Sequence, residues 1–347
     1  ARLAETDLST ALFAVTVAQR VNKREDLAPI INGTLSRPDD TVAISPLCCA
    51  GPAPGQFTFS IPLEIAEVRL DALSIPRVGL YPVTIAVQRD GRILSTVLTF
   101  LNRLPAADET GIDPDPMSVA LAMGTQSAVH LDSRGVTSLD DQTTIAEMSA
   151  LAGTLDALAA NQFPSTVRIA PEVLNGLQAL DPSLFTRLIA ALQLHQVIAE
   201  PQWPIDPSAA AAAGQSSLYT SWLRDGQDRL VGLGLGPAII SRSTMFVDQP
   251  ISAEGLTLRR DLGAGIMVMT PSIYDSLVRD GSIGQYSDYT GELFAAQLPN
   301  DTLFDVAVVD HGISDLMVRP LATPELTRIY AVANLLALRQ KLQIDGS

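Results

Sequence analysis

Residues 266–279 read IMVMTPSIYDSLVR, and this short stretch decides the fold class. Ile266–Met269 has the length and continuous apolarity of a strand covered on both faces, as in a parallel sheet. Thr270 offers a hydroxyl for a helix N-cap and Pro271 suits the first helical position, so a helix follows the strand at once. The same grammar recurs outward from this point. Strand-like runs occur at Ser118–Met123, Thr166–Ala170, Gln196–Ala199, Ala238–Ser241 and Asp305–Val309. Helical patterns lie between them: Ile145, Met148, Leu151, Leu155 and Leu158 share one face after Asp140-Asp141, and Asp181-Pro182 and Thr323-Pro324-Glu325 repeat the cap-and-proline start. Alternating strands and helices predict an α/β domain over 117–347, a (β/α) barrel-like unit with about six to seven parallel strands. The absence of a glycine-rich dinucleotide turn favours a barrel over an open sheet, and the polar, Tyr-rich residues 281–300 read as an insertion.

The first third of the chain has a different period. Leu12–Gln19, Thr41–Ser45, Gln56–Ile61, Ala66–Leu70, Leu80–Gln88 and Arg92–Leu101 are short, rich in β-branched residues and separated by Pro, Gly and Asp. Asp90-Gly91 favours the positive backbone angles of a type I′ hairpin turn, and Val83, Ile85 and Val87 alternate with Thr84, Ala86 and Gln88, one face inward and one outward. An all-β run of this length predicts an N-terminal immunoglobulin-like β-sandwich over 1–104, with the proline- and acid-rich segment 105–116 as linker.

Composition bounds the function. The 347 residues carry 23 Lys plus Arg against 38 Asp plus Glu, a net charge of −15, and lysine occurs only at Lys23 and Lys341. Phosphate binding depends on clustered cations, so nucleic acid is not expected as a partner. At 47% hydrophobic and 18% charged residues the chain can bury a substantial core. It has no long uninterrupted apolar run, so no insertion of this segment into a membrane is expected. Cys48 and Cys49 are adjacent, a geometry that closes only a strained ring; no His or Cys neighbours suggest a metal or redox role, and their bonding state stays open.

In parallel α/β folds ligands meet the carboxyl ends of the strands. The residues there include Glu172, Glu200-Pro201-Gln202-Trp203, Arg242 and Asp310-His311. Glu200 and Asp310 end different strands, and two carboxyls flanking one bond are what glycoside hydrolysis requires. Trp203 offers a stacking face for a sugar, and Glu172, Gln202, Arg242 and His311 complete a candidate ligand-binding set. Structural roles compete with each: strand-end acids cap helices or pair with cations such as Arg242, and Glu172 in a first helical turn is stabilised there without any function. His130, His195 and His311 form neither H-x-x-x-H nor H-E-x-x-H, so no metal site and no cofactor is expected; His195 reads as serving a helix C-terminus. Gly232, Gly234 and Gly236 precede a strand, the wrong order for a phosphate loop, and Ala209–Ala213 is a short helix or loop.

Four segments carry a family resemblance: Gly79–Val83, Ser165–Pro171, Gln202–Asp206, and Val309–Ser314 followed by an Ala/Leu-rich helix. In this order, from residue 12 to 342, the chain resembles large exported actinobacterial proteins of unassigned activity, often encoded beside the lipid II flippase. The resemblance implies a β-sandwich followed by a domain similar to the barrels of polysaccharide deacetylases and glycoside hydrolases. It also implies a cell-envelope location, as the ectodomain of a membrane-anchored protein, with a cell-wall glycan or an envelope membrane protein as partner. The deacetylase metal motif is not carried over: the first strand ends Ala122-Met123-Gly124-Thr125 without an acid, and Asp140-Asp141 starts a helix. The expected function is therefore a non-catalytic interaction or glycan-binding module, with hydrolysis by Glu200 and Asp310 as the alternative.

Overall fold

The computed structural model describes residues 12–34, 38–44, 60–64, 72–104, 117–131, 137–138, 140–285, 293–298, 303–318, 321 and 323–345. Cys48 and Cys49, the predicted strand Ala66–Leu70, residues 56–59 of the predicted strand before it, the segment 105–116 and residues 286–292 and 299–300 of the Tyr-rich stretch lie outside them. The elements run β1 (Leu12–Ala18), α1 (Leu27–Ile31), β2 (Pro38–Ile44), β3 (Leu63–Glu64), β4 (Leu73–Ser74), β5 (Gly79–Arg89) and β6 (Arg92–Arg103). There follow β7 (Leu121–Gly124), β8 (His130–Leu131), β9 (Thr137–Ser138), α2 (Asp141–Ala160), β10 (Ser165–Arg168), α3 (Pro171–Leu180), α4 (Pro182–Leu192) and β11 (Gln196–Ile198). Next come α5 (Pro207–Ala212), α6 (Ser216–Gly232), β12 (Ile240–Ser241), β13 (Thr244–Val247), α7 (Ala253–Asp261), β14 (Ile266–Met269) and α8 (Pro271–Arg279). The chain closes with β15 (Leu293–Gln297), β16 (Leu303–Val308), α9 (His311–Val318) and α10 (Pro324–Asp345). No described helix is long and apolar enough to cross a membrane.

Contacts divide the chain into two compact units, 1–117 with 312–347, and 118–311. The C-terminal segment, which the sequence runs on with the second domain, therefore packs in the first. In that unit β2-β1-β5-β6 form one antiparallel sheet. Asp90 and Gly91 take φ of 51° and 76°, the two positive angles a type I′ turn needs. Gly91→Ala is expected to destabilise the hairpin by about 1 kcal/mol, read from the urea midpoint, because a Cβ disfavours that angle. Tyr81 and Val83 look into a core with Val15, Val17, Leu73 and Ile75. On the opposite face Leu80, with Leu98 and Phe100, packs against Leu27 and Ile30 of α1 and Ala333 and Ala337 of α10. This corrects the immunoglobulin-like sandwich: among the described residues one face of the sheet is covered by helices, and the other by the short two-stranded pair β3-β4 rather than by a full second sheet. The stripe Tyr330, Ala333, Ala337 of α10 supplies the apolar surface that a second sheet would have presented.

The second unit also departs from the barrel expected. β12-β11-β10-β7 form one wholly parallel sheet, and β13-β14-β16-β15 form another, in which β15 runs antiparallel to β16. Among the described residues no ladder joins β12 to β13. The chain bends instead at Ser241–Ser243, where the two serine hydroxyls lie 2.7 Å apart and Ser243 N–H donates to Ser241 Oγ. Ser243 C=O then accepts from Gly265 and Ile266, which starts the second sheet. A continuous barrel wall of six to seven parallel strands is thus not found. Each sheet has its own core: Val167, Ile169, Leu174, Leu177, Leu188 and Val197 in the first, Met267, Leu277, Phe304 and Val306 in the second.

The helix starts follow local chemistry. Asp140 accepts from Thr143 N–H, Asp181 from Ser183 and Leu184, Asp206 from Ser208, Ser252 from Gly255 and Thr270 from Ile273. The Leu184 N–H and the Ser183 hydroxyl hold the Asp181 carboxyl below the usual carboxylate range.

Candidate functional site

The carboxyl ends of β10, β11 and β13 bring three chemistry-bearing residues to one place: Arg168 closes β10, Glu200 follows β11 by two residues, and Asp248 follows β13 directly. They line two adjoining cavities. The larger, about 420 Å³, is walled by Thr125, Ser127, Glu172, Gln202 and Asp206 besides. The smaller, about 110 Å³, adds Tyr219, Phe246 and Arg259.

Glu200 owes its position to a close approach of backbones. Gln202 N–H donates to Trp222 C=O at 2.8 Å, the same carbonyl that an α-helix directs toward residue 226. Residue 226 is glycine: a Cβ there would fall on the Glu200 carbonyl oxygen and lie 2.7 Å from Gln202 N and 2.9 Å from Pro201 C. Because Gly226 has no side chain, the segment 200–202 lies directly on α6, with the Glu200 side chain at the cavity.

Burial pushes the Glu200 carboxyl up from its ordinary value of 4.5; Arg259 and Arg168 pull the other way, and Asp248 adds to the rise. Among the described residues no group hydrogen-bonds to this carboxyl, so desolvation prevails. Arg259, a buried residue of α7, donates to Tyr219 Oη of α6 at 3.0 Å. Burial likewise raises the Tyr219 phenol, against the pull of Arg259. Arg168 is fixed twice: its Nη2 pairs with Asp248 Oδ2 at 2.5 Å, and its guanidinium lies 5.6 Å from the Phe246 ring centre. That pair ties the carboxyl end of one sheet to that of the other. Gln202 Nε2 donates to Glu172 Oε1 at 3.1 Å, an amide–carboxylate pair on the wall of the larger cavity.

The wall formed by residues 125–129 is held by the Thr125 N–H bond to Arg168 C=O at 3.1 Å and by one carboxylate. Glu147 of α2 accepts from Gln126 N–H at 2.6 Å and Ser127 N–H at 2.8 Å, and also from the Ser127 hydroxyl. Glu147→Ala leaves three donors without their acceptor and is expected to cost about 1–3 kcal/mol. Hydrogen exchange at Gln126 and Ser127 is expected to quicken by more than the global loss accounts for; equal protection at both amides would refute this role for Glu147.

The residues singled out from sequence are not all gathered here. Glu200, Glu172 and Gln202 line the cleft. Asp310 and His311, after β16, line neither cavity. Trp203 is half-buried next to Gln202 but is not among the lining residues, and Arg242 sits in the bend between β12 and β13 with its Nε buried. His195 does not serve the end of its own helix through its ring: Nδ1 meets Ser165 Oγ at 2.8 Å and Nε2 meets Leu155 C=O of α2 at 3.2 Å. Among the described residues no three His, Cys, Asp or Glu side chains cluster as metal ligands.

Asp248, Arg259 and Tyr219 escape the sequence reading. Asp248 is within reach of the strand-end rule, since Thr244–Val247 is an apolar run followed by an acid; the sequence reading ends the preceding strand at Ser241 and places none over 244–247. Arg259 and Tyr219 come from helix faces, where no local pattern marks a residue as pointing to a cavity.

No protein-family profile and no curated protein matches this sequence. Among solved structures the chain is similar to the crystal structure of 4-alpha-glucanotransferase from Thermococcus litoralis, with a TM-score of 0.42 and 10% sequence identity. That similarity covers 62% of this chain and 31% of the other, and at this level it carries no argument about fold or activity.

Proposed function

We propose that this chain is an extracytoplasmic cell-envelope protein whose second unit binds a neutral glycan in the cleft at the ends of β10, β11 and β13. The observation that carries the reading is the alternation of donors and acceptors on the cleft walls. Arg168 beside Asp248 and Gln202 beside Glu172 present each kind of group at hydrogen-bond spacing, and Ser127 and Asp206 extend the set. A sugar ring offers hydroxyls that both donate and accept, and such paired walls satisfy them in both senses. The charge of −15 works against anionic wall polymers, so an uncharged saccharide face is the better match. The envelope location is supported by the resemblance of the four sequence segments.

The test is binding of defined oligosaccharides to the intact chain by calorimetry. Glu172→Ala and Gln202→Ala are each expected to weaken binding about tenfold, the loss of one hydrogen bond involving a charged group. Unchanged affinity in both variants would move the ligand elsewhere. Hydrolysis by Glu200 together with Asp310 needs both carboxyls at one sugar, and of the two only Glu200 lines the cleft.

A further inference from the structure

We propose that the cleft cleaves the glycan it binds, with Glu200 as proton donor and Asp248 as the base that activates water. The inference rests on the glycan reading and adds turnover to it. Both residues line both cavities, at the carboxyl ends of β11 and β13. The two carboxyls occupy opposite kinds of surroundings, which is how one site keeps an acid and a base side by side.

Glu200 faces Arg259 of α7, Arg168 of β10, Tyr219 of α6, Asp206 ahead of α5 and Asp248 after β13, with Glu172 of α3 on the adjoining wall. Glu200 is half-buried at the cavity wall, and the desolvation there pushes its carboxyl up and favours the protonated form, the form that can donate. Asp248 is the reverse case. Its side chain is 58% exposed and held by the Arg168 guanidinium, whose own place is fixed over Phe246. Exposed at the cavity and open to its water, this carboxyl is placed to receive a proton from a water molecule there. The 110 Å³ cavity that both residues line is large enough to hold water.

In the step itself Glu200 gives its proton to the glycosidic oxygen as the bond from that oxygen to C1 breaks, the electron pair staying with the oxygen. A water oxygen forms the new bond to C1, and the proton that water loses goes to Asp248. One water is consumed, and solvent returns the proton from Asp248 to Glu200.

The probes are maltohexaose, chitohexaose and soluble uncrosslinked peptidoglycan strands, offered to the intact chain. Calorimetry reads binding, and chromatography reads release of new reducing ends. At least one bound probe is expected to be cut; Glu200→Gln and Asp248→Asn should each slow release by about 100-fold or more while the Kd moves by less than about threefold. Azide should restore turnover to Asp248→Ala, forming the glycosyl azide, which a merely structural role for Asp248 does not predict. Circular dichroism and the melting temperature of each variant separate loss of chemistry from loss of fold. Binding without release from any bound probe overturns the inference and leaves the glycan reading standing. Release that survives Asp248→Asn, with no response to azide in Asp248→Ala, removes Asp248 from the pair. If no probe binds, the glycan reading falls and this inference with it.

Discussion

Gly226→Ala is expected to destabilise the second unit by about 3 kcal/mol, with a matching fall in the urea midpoint. A methyl group at 226 occupies the space of the Glu200 carbonyl, and its other near neighbours, Gln202 N at 2.7 Å and Pro201 C at 2.9 Å, are backbone atoms. A flexible side chain could swing away; these atoms move only if α6 and the segment after β11 part. Parting costs the bond from Gln202 N–H to Trp222 C=O and disturbs the packing of the buried Tyr219, Leu223 and Leu230 of α6. The variant should also lose ligand affinity, since Glu200 and Gln202 travel with the displaced segment. A stability within about 0.5 kcal/mol of the parent would show that α6 does not press on this segment.

Glu200→Gln is expected to raise stability at neutral pH and to leave it unchanged in acid. The folded-state pKa of Glu200 lies above its ordinary 4.5, so the folded protein holds this proton more tightly than the unfolded chain does. The carboxyl therefore makes no unfavourable contribution below pH 4.5. Its penalty grows as pH rises from 4.5 through the raised value and is constant beyond it. Glutamine keeps the shape and never ionises, so the variant's advantage should open across that same window. Denaturant titrations of both proteins at a series of pH values give the difference curve; a flat curve, or an advantage confined to acid, would contradict the desolvation of this carboxyl. A gain in stability alongside a loss of turnover is the usual signature of a group held in place for chemistry.

Local chemistry made much of this fold readable. Asp181-Pro182, Thr270-Pro271 and Asp140 announce helix starts because a cap needs one side-chain oxygen at one position, and Asp90-Gly91 announces its turn because few residue pairs accept two positive φ angles. Ile266–Met269 coincides with a strand for the same reason. What failed was the assembly of layers. Leu80, Leu98 and Phe100 show that a sheet face is covered without showing by what, and the cover comes from α10, more than 200 residues on. Most of the parallel strands were visible one by one, Thr244–Val247 excepted, but their division into two sheets depends on the Ser241–Ser243 bend, whose hydroxyl contacts have no sequence pattern of their own. At the site, Glu200 was legible because it ends a strand; its raised pKa was not, since that comes from burial by segments distant in sequence and from Asp248, which meets it only in the fold.

His195 offers a way to watch these effects separately. A carbonyl oxygen can only accept, so Nε2 must carry the hydrogen that meets Leu155 C=O, and in the neutral ring Nδ1 accepts from the Ser165 hydroxyl. The ring thus has one defined tautomer, and its nitrogen resonances become a spectroscopic label already present in the protein. Ser165 opens β10 and His195 precedes β11, so the label sits at the opposite end of the parallel strands from Glu200. Loosening confined to the cleft should leave its signal in place, whereas unfolding of the whole unit should erase it.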